Sequence, residues 1–474
     1  MINSSISSGE FPNSWKCAKV TPIYKKKGSR FEKENYRPVS NLKSTSKVME
    51  LIVNKQILNF MENNKLLPQS QHGFRKRRST FSAVSSMHET WLRIREGNSH
   101  QAVAFLDLSS AFDTLSKDIF CQKIKAYGFD QKSVNWFHSY LSKRSQCVML
   151  GSTISNPIDL NLGSPQGAIL SPTIFIILIA DMELYCPESK LCGYADDTSV
   201  TISSKQLEQL KQLCESEVNN LLVYMAINKL AANDSKTHIL VMRKGREDKR
   251  LSFKIGDANI KETDTEKLLG VWVQNDLKWT THLKKLESKL LSSLYNLRKI
   301  EQIIPRSLLK MVADGLFISY IRYAIGLYCP IRIKETDPIP SNIHGIKVVY
   351  NDVLRLLCCS KREDKKPIKD MLKEVGWLSL NQLACETRLI EVWKSLNIEN
   401  YCLQDVFERV QFSRETRGSQ KIRLKTSFKS QLRENSFQYP SVQLWNSAPC
   451  EITNATTESK ARAAIKAYVQ NLPI

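Results

Sequence analysis

"KLCGYADDTSVTIS", residues 190–203, sets two acids, Asp196 and Asp197, between short runs that alternate as strands do. In a regular strand, adjacent side chains face opposite ways, so both acids reach one place only if the chain turns there. The sequence permits that turn. Leu191 to Tyr194 and Ser199 to Ile202 read as the arms of a hairpin, with Ala195 to Thr198 at its tip. A lone Asp-Asp pair is ordinarily a polar turn. A third acid, on a second strand, changes that reading.

The third acid lies in "QAVAFLDLSSAFDTLSKDIFCQKIKAYGF" (101–129). Residues 102–108 suit a buried strand, with Val103, Phe105 and Asp107 on one face. Ser109 and Ser110 then fit a helix start. Asp107 therefore sits near the carboxyl end of a central strand, where an unpaired carboxylate inside the sheet would be costly. Clustered carboxylates repel and take up protons unless a cation neutralises them. Oxygen-only ligands suit Mg²⁺, completed by substrate phosphates and water.

The rest of the chain supplies the setting. With 474 residues, 42% hydrophobic and 24% charged, it has the apolar content of a globular protein of several domains rather than of a disordered chain. Its 69 basic residues outnumber 47 acidic ones, a net +22 that favours a polyanionic partner, nucleic acid ahead of a membrane surface. The 12 cysteines are scattered apart from Cys358-Cys359 and show no zinc-ligand spacing, so they read as reduced, mostly buried thiols of an intracellular protein. The amino terminus lacks the apolar core of a signal peptide. The longest apolar run, "AILSPTIFIILIA" (168–180), is too short to span a bilayer and reads as a buried helix, so no membrane partner is expected. From about residue 280 apolar positions recur at helical spacing, and "RKGREDKR" (243–250) reads as a linker or hairpin tip before that zone.

"FLDLSSAFDTL", "LGSPQGAILSPTIFIILIADM" and "GYADDTSV", in that order, resemble the successive palm motifs of reverse transcriptases. Upstream, "NYRPVSNLKSTSKVMELIVNKQI" and "SQHGFRKRRSTFSAV" resemble finger motifs of the non-LTR (LINE-type) branch. Downstream, "INKLAANDSKTHIL" and "KLLGVWVQNDLKWTTHL" resemble its remaining palm and primer-grip motifs. The likeness covers roughly residues 15–285, with a fainter one to jockey-type elements reaching 441–469. It implies an α+β right-hand polymerase: fingers in 1–100, a palm with an antiparallel sheet in 101–280, a helical thumb in 281–335, and a helical, basic region in 336–474.

The resemblance also implies a function: RNA-directed DNA synthesis from a primer 3′-hydroxyl, with deoxynucleoside triphosphates as substrates. Asp107, Asp196 and Asp197 would be the metal-binding and catalytic triad, holding two Mg²⁺ ions, with Mn²⁺ as a substitute. Phe112 matches the aromatic gate that excludes a 2′-hydroxyl, although at a helix's first turn it also reads as an ordinary core residue. Asp113 is common in the same motif, with a structural role. Gln166 and Gly167 match the turn flanking the nascent base pair, and Tyr194 lies beside the substrate. Arg75 and Arg78 match residues that clamp the triphosphate, with Arg37 a further candidate; a charge run such as 75–78 is otherwise a solvated face. Lys236 matches a lysine that protonates the leaving pyrophosphate, and otherwise reads as a strand-edge lysine.

The partners implied are an RNA template and a DNA primer, acting in the nucleus as such elements do; oligomeric state is left open. Because finger motifs begin almost at once, the resemblance is to a fragment without an endonuclease. Two rival readings stay open: a co-opted remnant that binds RNA without catalysis, and an RNA-dependent RNA polymerase. The basic stretch between Gln411 and Arg433 suits nucleic-acid phosphates, with Phe412, Phe428, Phe437 and Tyr439 as candidate base-stacking or anchoring rings.

Overall fold

The computed structural model describes residues 1–108, 114–231, 237–245, 249–338, 340–410, 421–425 and 436–474, and for Asp107 the backbone alone. Two sheets frame the first 280 residues. One is built from β1 (Cys17–Tyr24), β2 (Tyr36–Asn41), β4 (Arg144–Leu150), β5 (Thr153–Ile154) and β6 (Ile158–Leu160), in the order β2-β1-β4-β5 with β6 also on β4. The other has six strands, β3 (His100–Asp107), β7 (Lys190–Tyr194), β8 (Asp197–Ser204), β9 (His238–Met242), β10 (Ser252–Ile255) and β11 (Ala258–Thr263), in the order β10-β11-β9-β3-β8-β7. The boundary expected at residue 100 therefore does not follow the sheets: β4, β5 and β6 return from the second zone to join β1 and β2.

The six-stranded sheet explains the unbroken apolar run before Asp107. Both its faces are covered, so both sets of alternating side chains are buried. Ala102, Ala104, Val200, Ile239 and Val241 share one core with helices Leu170–Leu178 and Leu207–Ile227. Val103, Leu240 and Met242 face a second core, which they share with helix Thr80–Glu96 and with the helical last third of the chain. Trp91 of that helix donates from Nε1 to Thr201 Oγ1 at 3.0 Å, locking helix to sheet. The run at 168–180 is the buried helix Leu170–Leu178 that its composition suggests. No helix among the described residues is long and apolar enough to cross a membrane.

One expectation needs correction. The stretch 243–250 does not separate zones. It connects β9 to β10 inside one sheet, and its flanking arginines, Arg243 and Arg250, both pair with the carboxylate of Glu262 on β11, at 2.8 and 3.1 Å. Of the two roles open to Phe437, it takes that of an anchoring ring and not that of a base-stacking one. It is buried and meets Phe81 edge-on at 5.3 Å, whereas Phe412 and Phe428 lie outside the described residues.

The helical zone begins with Thr280–Ile300, whose Leu283, Leu286, Leu290, Leu294 and Leu297 form one buried stripe. Helix Leu380–Asn397 lies at the centre of the last third, and helix Gln438–Ser447 joins it to Thr80–Glu96. The joint is polar and buried. Glu89 Oε1 accepts from the backbone N–H groups of Phe437 and Gln438, at 2.6 and 3.1 Å, and so caps the start of helix Gln438–Ser447. Arg388 Nη1 donates to the Phe437 carbonyl at 2.6 Å.

Burial raises the Glu89 carboxyl from its usual 4.5 to about 7, against the opposing pull of the two N–H groups, Arg93 and Arg388. A raised pKa means that the native chain holds this proton more tightly than the unfolded chain does. The stability it contributes is complete below pH 4.5 and is lost as pH rises through 7. Urea unfolding at acid and at mildly alkaline pH is expected to differ by about 3 kcal/mol from this group alone. Glu89→Gln should flatten that dependence; an unchanged slope in the variant would remove Glu89 as its source.

Candidate active site

The acids meet at one end of the six-stranded sheet. Asp107 closes β3, Asp197 opens β8, and the two are direct partners across the antiparallel ladder. Such partners have Cα atoms about 4.5–5.5 Å apart. Tyr194 pairs with Asp197 on the other side of β8, so the hairpin tip is only Ala195 and Asp196, tighter than the expected four-residue tip. A two-residue loop of this kind needs a positive φ at its first position. Ala195 adopts it, with φ 61°. The backbone at Asp196 is tied back to β3, its carbonyl accepting from Leu108 N at 3.4 Å.

Like charges directly opposite in a ladder repel. Asp107 and Asp197 are so placed, with Asp196 adjoining. An all-carboxylate donor set fits a hard divalent cation better than a soft one. The three acids are thus the residues that would hold one. Beside them, Asp197 lines a cleft of about 150 Å³ with His238 and with Glu266, Lys267 and Leu269 of the hairpin formed by β12 (Thr265–Leu268) and β13 (Val271–Gln274). Leu269 and Gly270 both have positive φ, as a tight two-residue turn requires. This brings the "KLLG" motif beside the acids.

A second contact was not legible as such. Residues Ser70–Gly73 run along the outer edge of β7: Gly193 donates to the Ser70 carbonyl at 3.0 Å and accepts from His72 N at 2.7 Å. Gln71 and Gly193 form a parallel bridge. The segment covers an otherwise open sheet edge and presses on the hairpin tip. A Cβ at Gly73 would fall 2.3 Å from Ala195 N and 2.9 Å from the Tyr194 carbonyl carbon. The only hint in the sequence is the glycine in "SQHGF".

The turn "SPQG" is held against β2. Ser40 N donates to the Gln166 carbonyl at 2.7 Å, and Gly167, with φ 110°, brings its α-carbon so near that a Cβ would lie 2.9 Å from the Ser40 carbonyl oxygen. Gly163 N donates to the Leu115 carbonyl at 2.9 Å, tying the approach to this turn to the chain that leaves β3. Arg37 is exposed on β2, the same strand. Tyr194 is half-buried at the edge of the second core.

Arg75 is employed differently from the expectation. Its guanidinium grips Glu62 with two bonds of 2.8 and 2.6 Å and donates to the Pro68 carbonyl at 2.5 Å, leaving 4% of its side chain exposed. This bidentate pair braces the loop after helix Ser44–Asn63. Arg78 donates to the Gln69 carbonyl at 2.6 Å and to its side chain. Burial, with Arg75 next in effect, lowers its pKa to about 10. Both line a cleft of about 890 Å³ that faces residues 399–405. Phe112, Asp113 and Lys236 lie outside the described residues.

Residues 23–307 match the family described as "Reverse transcriptase (RNA-dependent DNA polymerase)". The chain is 26% identical to the "Probable RNA-directed DNA polymerase from transposon BS" of Drosophila melanogaster, over 61% of this chain and 33% of that protein. It is 29% identical to the "RNA-directed DNA polymerase from mobile element jockey" of the same fly, over 44% of this chain and 23% of the relative. The chain thus spans about a third or less of these curated relatives. Among solved structures, apo telomerase from Candida tropicalis is similar with a TM-score of 0.41 and 11% identity, over 78% of this chain and 63% of that one. With the family match covering more than half of its length, this chain belongs to the reverse transcriptase (RNA-dependent DNA polymerase) family.

Proposed function

We propose that this chain is an RNA-directed DNA polymerase that extends a primer 3′-hydroxyl with deoxynucleoside triphosphates along an RNA template. One observation carries the reading: Asp107 and Asp197 are ladder partners, with Asp196 in the adjoining turn, inside a family that copies RNA into DNA. Two Mg²⁺ ions, or Mn²⁺ in their stead, would supply charge neutralisation at the attacking and departing oxygens. The protein's own share is mostly positioning, which phosphoryl transfer chiefly needs. Asp107, Asp196 and Asp197 hold the cation site at a sheet end whose geometry the ladder fixes. Gln166 and Gly167 bear on the nascent base pair, and Tyr194 lies beside the primer end. Phe112 closes the space that a 2′-hydroxyl would need. Lys236 hands a proton to the pyrophosphate, and Arg78 with Arg37 offers guanidinium groups to phosphates.

In this reading β1, β2 and β4–β6 with helix Ser44–Asn63 act as fingers, the six-stranded sheet as palm and the helices from Thr280 as thumb. The net charge of +22 suits a long polyanion. The test is primer extension on an annealed RNA template. Product is expected with Mg²⁺ and deoxynucleotides, and not with ribonucleotides or with a chelator. A folded chain that binds RNA yet makes no product would overturn the polymerase reading in favour of a binding remnant. Equal use of ribonucleotides would instead assign it RNA synthesis.

A further inference from the structure

Helix Ser44–Asn63 carries a carboxylate with no exposure to solvent, Glu50. The residues around it on the buried face, Met49, Val53, Ile57 and Met61, are apolar, as packing alone would ask. Glu50 is occupied instead in a specific way. Its Oε2 accepts from Ile169 N at 2.8 Å, and its Oε1 accepts from Ser46 Oγ at 2.9 Å. Ile169 is the residue that starts helix Leu170–Leu178, directly after the Gln166–Gly167–Ala168 turn. The first N–H groups of a helix have no partner within it, and a carboxylate oxygen can supply one.

One helical turn further on, Thr173 Oγ1 donates to Asn54 Oδ1 at 2.6 Å, a second link between the same two helices. The two links differ in what they touch. Asn54 holds the body of the helix, whereas Glu50 holds the exit of the turn. Other ties on that turn include Ser40 N to the Gln166 carbonyl at 2.7 Å, and Ala168 N and Ser171 Oγ to the Pro165 carbonyl at 3.1 and 2.9 Å. Tyr140 and Arg144, both buried, lie near Glu50. A buried polar group is costly where an apolar one would do, so its presence argues for a directional task.

We infer that Glu50 is a positioning residue for the incoming nucleotide: by fixing Ile169 it sets the pose of the Gln166–Gly167 turn from the opposite side to β2. The inference rests on the polymerase reading above. It is tested by the KM for deoxynucleotides and the kcat of extension on one annealed RNA template, for the native chain, Glu50→Ala, Glu50→Gln and Asn54→Ala. Glu50→Ala is expected to raise KM about tenfold or more, with kcat changed less than about threefold and template-primer affinity unaltered. Glu50→Gln keeps an oxygen for Ile169 N and should recover most of the loss. Asn54→Ala should lower the unfolding midpoint and leave KM at the native value.

Native KM in Glu50→Ala, or an equal rise in Asn54→Ala, would overturn the inference and leave Glu50 a packing residue. Should Glu50→Ala fail to fold, Ser46→Ala decides: it frees one carboxylate oxygen and is expected to raise KM about threefold, and native KM there overturns the inference. Absence of product from the native chain itself would overturn the polymerase reading, and this inference with it.

Discussion

Replacing Asp197 by Asn is expected to reduce primer extension by a factor on the order of 10³ or more, the equivalent of about 4 kcal/mol in the barrier. Its fold should survive. Asp197 opens β8 opposite Asp107, and the substitution removes a ligand while keeping the side chain's size. Added Mg²⁺ should therefore raise the unfolding midpoint of the native chain and leave that of Asp197→Asn nearly still, since only a cation that binds the folded state stabilises it. Asp196→Asn, in the adjoining turn, should lose extension to a similar degree. Extension within about tenfold of native in either variant would remove that acid from the mechanism.

Gly73→Ala is expected to be the second most damaging substitution, although Gly73 belongs to none of the motifs that bear acids. Its added carbon would sit 2.3 Å from Ala195 N and 3.1 Å from Ala195 Cα. Both are backbone atoms, so no side chain can rotate away. Either the edge segment lifts off β7 or the hairpin tip moves, and the tip carries Asp196. A displacement near 1 Å is enough to cost about 100-fold in rate. The overpacking should lower stability by about 1–3 kcal/mol. Gly245→Ala is the control: a Cβ there meets nothing within 4 Å among the described residues, and native rate and stability are expected. A native rate in Gly73→Ala would mean that the hairpin holds its position without this contact.

The residues that were legible are those whose signal is local. The apolar run before Asp107 announces a buried strand, and "YADD" announces a hairpin, but the pairing of Asp107 with Asp197 shows only in the structure. What stayed hidden depends on partners far along the chain. Arg75 sits in a run of basic residues, and nothing local shows that Glu62 claims its guanidinium. Arg250 looks like part of a linker until Glu262 and Asp264 are found folded against it. The length of the hairpin tip was misjudged because the positive φ falls on Ala195, not on the glycine or asparagine that usually marks such a turn. Likewise nothing local to residues 144–150 shows that β4 pairs in parallel with β1 and so belongs to the first sheet.

The capping of helix Gln438–Ser447 by Glu89 also governs the order in which the chain can be completed during synthesis. Glu89 and the backbone N–H it serves at Phe437 are separated by 348 residues. A ribosome adding about 5–20 residues per second needs roughly 20–70 s to cover that distance. Through that interval helix Thr80–Glu96 has emerged with its carboxylate unclaimed and Phe81 uncovered, and from about its midpoint, once β11 has been made, the sheet it covers can form. The nascent chain thus passes through a long stage in which the acids are assembled but the second core is open on one side, and chaperone engagement should concentrate there.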